Sequence, residues 1–431
     1  MLFRNVCMVD ADLPSGVYGD VLVAEGRIAA ILPPGQGRDD EVVGGGGRRA
    51  LIPGLVNAHT HAAMTLLRGL GEERPLMEWL QQAVWPVEAR LKEDHVYWGT
   101  MLAIAEMASQ GITCFGDMYF FMDEVARGAL ESGLRCGLSR GIVWGDSPGE
   151  NDRRLKEQEE LFRAWHGCQD RISVQYGPHA PYTVPPERLK QIAELAKDCG
   201  AGVHIHWLET AWELDYIRNT LKKDPVDLLD EVGLLEAPRL LLAHGVHFPV
   251  DRLKDLARPN LTVAHNPGSN MKLGSGVAPV PAMLAQGVHL ALGSDGAASN
   301  NRLDVWGEMR LAALLHKGLS RDPVAVPATS VLRMATVEGA RALGFDDVGL
   351  LREGWQADLV LVDLDLPHYV VWTPETLCPY LVYAGSSADV RGTMVQGKWI
   401  YRENNFVTMD IAQVKRESSR CRRELVKDQK D

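Results

Sequence analysis

The chain has 431 residues, of which 46% are hydrophobic and 24% are charged. This balance excludes a disordered or fibrous protein, and it leaves enough apolar material for one large domain and a smaller one. The 45 basic and 57 acidic residues give a formal net charge of -12 without any long basic stretch, so we expect no nucleic-acid partner.

Residues 1–55 are predicted to form short strands, the clearest being an alternating run from Val17 to Leu32. Residues 56–345 instead repeat a β-rich apolar run that ends in a polar residue and is followed by a helical stretch. The strand candidates are Leu55 to His61, Ile112 to Asp117, Arg135 to Ile142, Ile172 to Tyr176, Gly202 to Trp207, Leu240 to His244, Leu261 to His265 and His289 to Asp295. Helical patterns include His95 to Gln110, Glu187 to Cys199 and Leu303 to His316. Strands that alternate with helices are parallel, and eight such units predict a closed (β/α)8 barrel of the TIM type.

The last part of the chain returns to short strands without helices between them. They are Ala357 to Asp363 and a hairpin over Met394 to Tyr401 that turns at Gly397 and Lys398. We expect residues 346–405 to join the first 55 residues in a small β-sandwich, and residues 406–431 to form a surface helix.

The sequence also indicates where the protein is located. Its first residues, MLFRNVCMVDADLPSG, lack the charged, apolar and small-residue segments that make up a secretory signal. No later run of about 18 apolar residues predicts a transmembrane helix. Seven scattered cysteines without a Cys-x-x-Cys pair predict reduced thiols. We therefore expect a cytoplasmic protein without membrane association.

Two histidines lie two residues apart at the end of the first barrel strand, in GLVNAHTHAAMTLLRG. Because side chains alternate along a strand, His59 and His61 point to the same face, where they can bind a metal ion together. An isolated His-x-His pair is better explained by two buried histidines with backbone partners, since so short a motif has a high false-positive rate.

More ligand-type side chains lie at or just beyond the carboxyl ends of other predicted strands. They are His204, His206 and Glu209 in GVHIHWLET, His244 in LLLAHGVHF, and Asp295 in LALGSDGAASNN. The carboxyl ends of all barrel strands face the same mouth, so these residues should converge there. Three imidazoles and one carboxylate suit a divalent ion such as Zn²⁺ and leave one position for water. The sequence leaves open whether His204 or His206 binds the metal, and whether His265 orients a ligand or substrate or is a core residue.

These motifs together resemble the amidohydrolase superfamily, and most closely its methylthioadenosine/S-adenosylhomocysteine deaminase branch. The likeness covers nearly the whole chain, in the ordered segments PGLVNAHTH, MASQGITCFGDMYF, YGPHAPYT, HIHWLET, AHGVH, AHNPGSNMKLGSGVAPV, GSDGAASNN and EGWQADLVLVDLD. The resemblance implies that the metal is held by His59, His61, His206 and Asp295.

The resemblance also implies roles for residues around the metal. Glu209 would carry protons, and His244 would be a neighbour of the attacking water. Besides Glu209, the implied substrate-binding residues are Glu88 for the ribose hydroxyls, Trp79 beside the nucleoside, and Arg140, Arg154 and His179 for the 5′ substituent, including an amino-acid carboxylate when present. Arg153 competes with Arg154, because that match rests on an Arg-Leu pair after a loop of different length.

The chemistry of adenine deamination fits these side chains. A divalent ion makes water nucleophilic at neutral pH by lowering its pKa. Asp295 can accept a proton from the attacking water, and His244 can hold that water by a hydrogen bond. Attack at C6 of adenine requires a proton on the adjacent ring nitrogen, which a carboxylic acid such as Glu209 can deliver. The expected products are an inosine analogue and ammonia.

The resemblance further implies one metal ion rather than two. Binuclear relatives bridge their ions with a carboxylated lysine or a glutamate at the end of the fourth strand, whereas that strand here is ISVQYGPHA. We expect Zn²⁺, with Fe²⁺ or Mn²⁺ as alternatives that accept similar ligands.

Two other functions are open at this stage. The first is an amidohydrolase that acts on a triazine or on a free base such as guanine, which would have no use for Glu88, Arg140 and His179. The second is a non-catalytic barrel, which should lack several ligands, whereas this chain keeps all four and the proton carrier. The preferred 5′ substituent is also open, as is the association of the barrel into a homo-oligomer through its outer helices.

Overall fold

Short strands begin the chain in the computed structural model, which describes residues 1–426. They are β1 (Leu2–Met8), β2 (Val17–Ala24), β3 (Arg27–Leu32), β4 (Val42–Gly44) and β5 (Arg49–Pro53). β1 to β3 form antiparallel pairs, and β1 is also parallel to β4 and β5. The expected β-rich beginning of the chain is therefore present.

Eight parallel strands follow and form a barrel in the order of the sequence. They are β6 (Leu55–Thr60), β7 (Ile112–Tyr119), β8 (Arg135–Ile142), β9 (Ile172–Pro178), β10 (Gly202–Trp207), β11 (Leu240–His244), β12 (Leu261–His265) and β13 (His289–Leu292). Nearly every residue in these strands is buried, because the helices cover one face of each strand and the barrel interior covers the other. The predicted barrel is confirmed.

Helices connect the barrel strands and surround them. They are α1 (Leu76–Trp79), α2 (Trp85–Glu88), α3 (Glu93–Ser109), α4 (Met122–Ser132), α5 (Pro148–Trp165), α6 (Pro186–Cys199), α7 (Ala211–Asp215), α8 (Pro225–Glu231), α9 (Pro267–Lys272), α10 (Val280–Ala285), α11 (Ala297–Asn300), α12 (Val305–Ser320), α13 (Ala328–Met334) and α14 (Val337–Ala342). A 3₁₀ helix, Ala62–Leu67, directly follows the first barrel strand, and a π-helical turn, Leu80–Val84, joins α1 to α2.

The barrel closes between its first and last strands through individual hydrogen bonds. Within residues 1–426, β6 and β13 share no regular ladder. Instead, Asn57 Nδ2 donates to Ser294 Oγ at 2.7 Å, and Asn57 Oδ1 accepts the Ser294 N–H at 2.8 Å. The last strand ends at Leu292, three residues earlier than predicted, and Asp295 then takes a φ of 60°, which is not extended.

The second sheet combines both ends of the chain. Its later elements are β14 (Leu359–Asp363), β15 (Val390–Val395), β16 (Lys398–Arg402) and β17 (Asn405–Phe406), with the helix α15 (Leu377–Tyr383) before β15. The strands follow the order β17, β16, β15, β14, β5, β1, β2, β3, with β4 beside β1, and β5 pairs with β14 in antiparallel fashion. The expectation that the two ends form one small β unit is confirmed.

One detail of the predicted hairpin is wrong. The turn consists of Gln396 and Gly397, which have φ values of 46° and 70°, and Lys398 already belongs to β16. A two-residue hairpin turn with both residues at positive φ matches the twist of the two strands, which places the turn one residue earlier than predicted.

The last element of the described part is the helix α16 (Ile411–Val426), which lies within the range predicted for a terminal helix, and residues 427–431 of that prediction lie outside the described part. One face of α16 packs on α3, with Val414, Cys421 and Leu425 buried. Arg422 donates to the carbonyl oxygen of Leu66, at the end of the 3₁₀ helix that follows the first barrel strand. In residues 1–426, no helix combines the length and the apolar character that crossing a bilayer requires.

Candidate active site

Four predicted metal ligands converge at the carboxyl ends of the barrel strands. His59 and His61 lie at and just after the end of β6, His206 lies on β10, and Asp295 follows β13. His61 Nε2 lies 3.3 Å from Asp295 Oδ1 and 3.3 Å from His206 Nε2. His59 Nε2 lies 3.6 Å from Asp295 Oδ1. The structure therefore brings the four side chains to one point.

These separations fit a single divalent ion. Ligand atoms in a tetrahedral site with bonds of about 2.0 to 2.1 Å are about 3.3 Å apart, close to the observed spacing. His59 Nε2 is buried and has no hydrogen-bond partner in residues 1–426, which a bond to a metal would satisfy. His244 also lies near this point, since its ligand atom is within 4.8 Å of those of His59 and Asp295.

Hydrogen bonds from Nδ1 to backbone carbonyl oxygens orient two imidazole rings of the cluster. Nδ1 of His61 lies 2.6 Å from the carbonyl oxygen of Met118. Nδ1 of His206 lies 2.7 Å from the carbonyl oxygen of His179. Because a carbonyl oxygen only accepts, each Nδ1 carries a proton and each Nε2 faces the cluster, where the neutral ring offers its lone pair to a metal. Burial lowers the pKa of His206 and that of His59, the latter to about 4, and the neutral ring is the form that binds metals.

Asp295 is fixed through both of its carboxylate oxygens. The hydroxyls of Ser269 and Ser299 donate to Oδ2 at 2.6 and 2.7 Å, and the N–H of Gly296 donates to Oδ1 at 2.7 Å. Hydrogen bonds to a charged acceptor are among the stronger ones in proteins. They hold the carboxylate toward the histidines although the backbone of Asp295 lies in a sparsely populated region.

The histidines that the sequence left open lie in different surroundings in the structure. His204 lies one layer deeper in the barrel, and its Nε2 is 2.8 Å from Nδ1 of His59, so it supports a cluster residue from behind. His265 Nε2 lies 3.2 Å from Nε2 of His316. Both rings of this second pair are buried, which favours the interpretation of His265 as a core residue.

Glu209 and His244 lie beside the cluster. His244 Nε2 is 3.8 Å from Glu209 Oε2, and His244 Nδ1 is 2.8 Å from Asn270 Oδ1. Glu209 Oε1 is buried and has no hydrogen-bond partner in the described part of the chain. Burial raises the pKa of Glu209, although His244 opposes this effect. A raised pKa and a free oxygen suit a carboxyl group that donates a proton.

A second buried carboxyl group, Glu213, positions Glu209 and was missed by the sequence analysis. Its two oxygens accept the N–H groups of Leu208 and Glu209 at 2.7 and 3.0 Å. Thr210 caps the start of α7 by accepting the N–H of Glu213. Burial raises the pKa of Glu213 to about 8. The Thr-x-x-Glu pattern directly after the His-x-x-Glu motif is a helix-start signal that could have indicated it.

A cavity of about 390 Å³ opens above the cluster. Five of the six predicted substrate-binding residues line it: Trp79, Glu88, Arg154, His179 and Glu209. Trp85, Tyr182 and Thr183 also line it and were not predicted, because a sequence pattern does not show which loop side chains face inward. Burial raises the pKa of Glu88 and lowers that of His179 to about 4.

The arginines of the predicted substrate site lie toward one side. Arg140 lines an adjoining cavity instead of the first one, and its guanidinium is bonded to Glu157. Arg154 lines both cavities, whereas its competitor Arg153 lines only the second and has a side chain that is 59% exposed. This placement favours Arg154 over Arg153 as the residue nearer to the cluster.

Residues 50–400 match the model of the amidohydrolase family, and the match spans both the barrel and strands of the second sheet. This chain belongs to the amidohydrolase family. The resemblance noted in the sequence motifs is thereby confirmed, including its branch, since the similar amidohydrolases include proteins of that name.

Three proteins similar to this amidohydrolase align with it over nearly the whole length of both chains. The 5-methylthioadenosine/S-adenosylhomocysteine deaminase of Pelotomaculum thermopropionicum is 44% identical over 434 residues, which cover 99% of each chain. The 5′-deoxyadenosine deaminase of Methanosarcina mazei is 44% identical over 432 residues, covering 99% of this chain and 98% of that one. The crystal structure of an adenosine deaminase from Xanthomonas campestris with bound zinc has a TM-score of 0.93 and 36% identity, covering 99% of this chain and 98% of that one.

Proposed function

We propose that this amidohydrolase hydrolytically deaminates the adenine ring of 5′-substituted adenosines, with methylthioadenosine, S-adenosylhomocysteine and adenosine as substrates. The C6–N6 bond breaks, the oxygen of water becomes the C6 carbonyl oxygen, and the products are the inosine analogue and ammonia. One observation carries the proposal: a single cavity is lined by three of the four proposed ligands, His61, His206 and Asp295, together with the buried Glu209 and the carboxyl group of Glu88. The relatives at 44% identity are named as deaminases of such nucleosides, which supports this substrate class.

The proposed cofactor is one divalent ion, held by His59, His61, His206 and Asp295. Zn²⁺ is the first choice, because the similar adenosine deaminase contains zinc, while Fe²⁺ and Mn²⁺ accept comparable nitrogen and oxygen ligands. When bound, such an ion lowers the pKa of a coordinated water to about 7 and so supplies a nucleophile at neutral pH.

Three side chains divide the proton transfers in this proposal. The carboxylate of Asp295 accepts a proton from the attacking water, and Nε2 of His244 orients that water by a hydrogen bond. Glu209 donates its proton to ring N1 while C6 is attacked, which places the developing negative charge on a protonated nitrogen. Glu209, now a carboxylate, then takes the remaining proton from the C6 hydroxyl as the carbonyl forms and passes it to the departing amine, and the proton held by Asp295 restores the acid form of Glu209. The two protons of the water thus end on N1 and on ammonia.

The remaining cavity residues orient the nucleoside. Glu88 would accept hydrogen bonds from the ribose hydroxyls, and Trp79, whose indole N–H is bonded to the carbonyl oxygen of Leu70 at 2.8 Å, would pack beside the nucleoside. His179 and Arg154 would contact the 5′ substituent, with Arg140 beyond them in the adjoining cavity.

The deciding experiment measures kcat/KM for adenosine, 5′-deoxyadenosine, methylthioadenosine and S-adenosylhomocysteine, with guanine and a chlorotriazine as competing classes and with metal content determined on the same sample. We expect ammonia release from the adenosines only. Turnover of guanine or the triazine with no turnover of any adenosine would replace the proposal with the other amidohydrolase activity. Stoichiometric metal without any turnover would favour a non-catalytic barrel.

A further inference from the structure

A second cavity, of about 810 Å³, adjoins the one that holds the metal-ligand cluster. The two cavities share four lining residues: Trp85, Glu88, Phe120 and Arg154. The following inference rests on the proposed function. A nucleoside whose base lies at the cluster and whose ribose contacts Glu88 directs its 5′ substituent across this shared wall, so the second cavity receives the substituent.

The wall of the second cavity carries charges of both signs. Its basic residues are Arg140, Arg153 and Arg154, and its acidic residues are Glu88, Glu93, Asp123, Glu150 and Glu157. A site for a simple anion would present mainly basic groups. With three basic and five acidic side chains, this cavity suits a substituent that carries both charges or none.

Glu157 occupies the centre of this charge arrangement. Its Oε2 accepts hydrogen bonds from Arg140 Nε and Nη2 at 2.9 and 2.8 Å, and its Oε1 accepts one from Arg153 Nη1 at 2.8 Å. The Arg140 side chain is only 9% exposed, and the ring of Phe120 lies 5.3 Å from its guanidinium carbon. The buried guanidinium that could bind a substrate carboxylate is therefore already paired within the protein.

The charged residues of these pairs lie along one face of α5, except for Arg140. Glu150, Arg153, Arg154 and Glu157 lie at relative positions 0, 3, 4 and 7 of the helix, which places them side by side. Glu150 accepts a hydrogen bond from Arg154 Nη2 at 3.1 Å, so both arginines on this face of the helix have an acidic partner. The sequence PGENDRRLKEQEE thus presents a balanced ionic surface to the cavity.

We propose that Glu157 determines the charge class of the 5′ substituent, and that it selects a zwitterionic amino-acid tail over a tail with a carboxylate alone. In a zwitterionic tail, the ammonium group replaces Arg140 at Glu157, and the released guanidinium binds the carboxylate together with Arg154. In a tail with only a carboxylate, the same release leaves Oε2 of Glu157 without its donor, and only the exposed Arg153 still neutralises the charge at this partly buried site, which is costly. An uncharged substituent leaves the pair intact.

The test compares two nucleosides that differ only in the ammonium group. They are S-adenosylhomocysteine and its des-amino analogue, S-(3-carboxypropyl)-5′-thioadenosine. We expect the unmodified protein to favour S-adenosylhomocysteine by about tenfold or more in kcat/KM, the effect of one charge-assisted hydrogen bond. In Glu157→Gln this ratio should fall to within about twofold, since the amide no longer distinguishes the two tails by charge.

The ratio of the two kcat/KM values is measured on one preparation, so a general loss of folded protein or of metal lowers both values equally and leaves the ratio unchanged. Glu159→Gln is the matched control, because Glu159 forms the same kind of pair with Arg163 on α5 at 2.9 Å but does not line the cavity, and its ratio should equal that of the unmodified protein. If Glu157→Gln does not fold, the ratio in the unmodified protein and in Glu157→Asp still tests the idea. Equal kcat/KM values for the two tails in the unmodified protein, or an unchanged ratio in Glu157→Gln, would overturn it. Absence of turnover for every adenosine would instead overturn the proposed function.

Discussion

The backbone N–H of Asp295 donates a hydrogen bond to the carbonyl oxygen of His59 at 3.0 Å, which joins two proposed metal ligands across the seam of the barrel. The seam is completed directly below by the double hydrogen bond between Asn57 and Ser294. The contacts that close the barrel therefore also bring His59 and Asp295 together in the cluster.

The side chain of Asn57 gives the first prediction. Asn57→Ala leaves the buried N–H of Ser294 without its acceptor, which should cost about 1–3 kcal/mol of folding free energy. Because the seam aligns His59 with Asp295, metal affinity should also fall by about tenfold or more, as for other outer supports of metal ligands. Urea unfolding and metal content after dialysis measure the two effects. Asn405→Ala, at an exposed position in the second sheet, is the control, and an equal loss of metal in both variants would contradict the argument.

The second prediction concerns the proton carrier. Glu209→Gln should keep the metal but lower kcat for adenosine-type substrates by about 10² to 10⁴, the usual effect of removing a general acid. Single-turnover kinetics with metal analysis on the same sample separate chemistry from binding. Glu194→Gln, an exposed glutamate on α6, should behave like the unmodified protein. Full turnover in Glu209→Gln would remove Glu209 from the mechanism.

The third prediction concerns metal content. We expect about one tightly bound divalent ion per chain, because His61 Nε2 lies 3.3 Å from both Asp295 Oδ1 and His206 Nε2, a spacing that suits ligands of one ion. Removal by a chelator should abolish deamination, and stoichiometric Zn²⁺ should restore it. His61→Ala should lose the ion. Two equivalents of metal per chain in elemental analysis would show that the site is binuclear.

A fourth prediction concerns pH and lies far from the cluster. His289 Nδ1 is 3.0 Å from Glu338 Oε2, and this hydrogen bond raises the pKa of His289. A histidine with a raised pKa stabilises the fold below its unfolded pKa of about 6.5, and the effect is lost as pH rises through the folded pKa. His289→Gln should therefore lower the free energy of unfolding at pH 6 but not at pH 9, measured in urea. Since the side chain is 38% exposed, we expect a difference below about 1 kcal/mol.

Glu338, the partner of His289, provides a check on the direction of this pH dependence. Burial raises the pKa of Glu338, but the hydrogen bond from His289 and the positive charges of His289, Arg341 and Arg333 together outweigh burial and lower the pKa overall. Glu338 therefore stabilises the fold above about pH 4.5 and ceases to do so as pH falls through its lowered pKa. Glu338→Gln should abolish the same difference between pH 6 and pH 9. A pH-independent effect of His289→Gln would mean that the pair contributes nothing electrostatic.

The barrel could be predicted from the sequence because each strand is a short apolar run that ends in a polar residue. His59, His61, His206 and Asp295 all lie at such ends, and parallel topology then requires their convergence. The choice between His204 and His206 was beyond the pattern alone, because residues two apart on a strand share a face and differ only in depth.

The surroundings of the cluster were less predictable. The carboxylate of Asp295 depends on Ser269 and Ser299, which come from two different loops, so no spacing in the sequence relates them. Arg140 was predicted from the resemblance as a substrate contact, whereas the structure shows it bonded to Glu157. That pairing depends on how α5 lies across β8, which local patterns do not determine.

The antiparallel pairing of β5 with β14 joins segments that are more than 300 residues apart in the chain. During synthesis at about 5–20 residues per second, β5 waits roughly 15 to 60 s for its partner to leave the ribosome. Throughout that interval its unpaired edge is open to other extended chains. Production of this protein should therefore depend on chaperone capacity, and slowed translation should increase aggregation of the nascent chain.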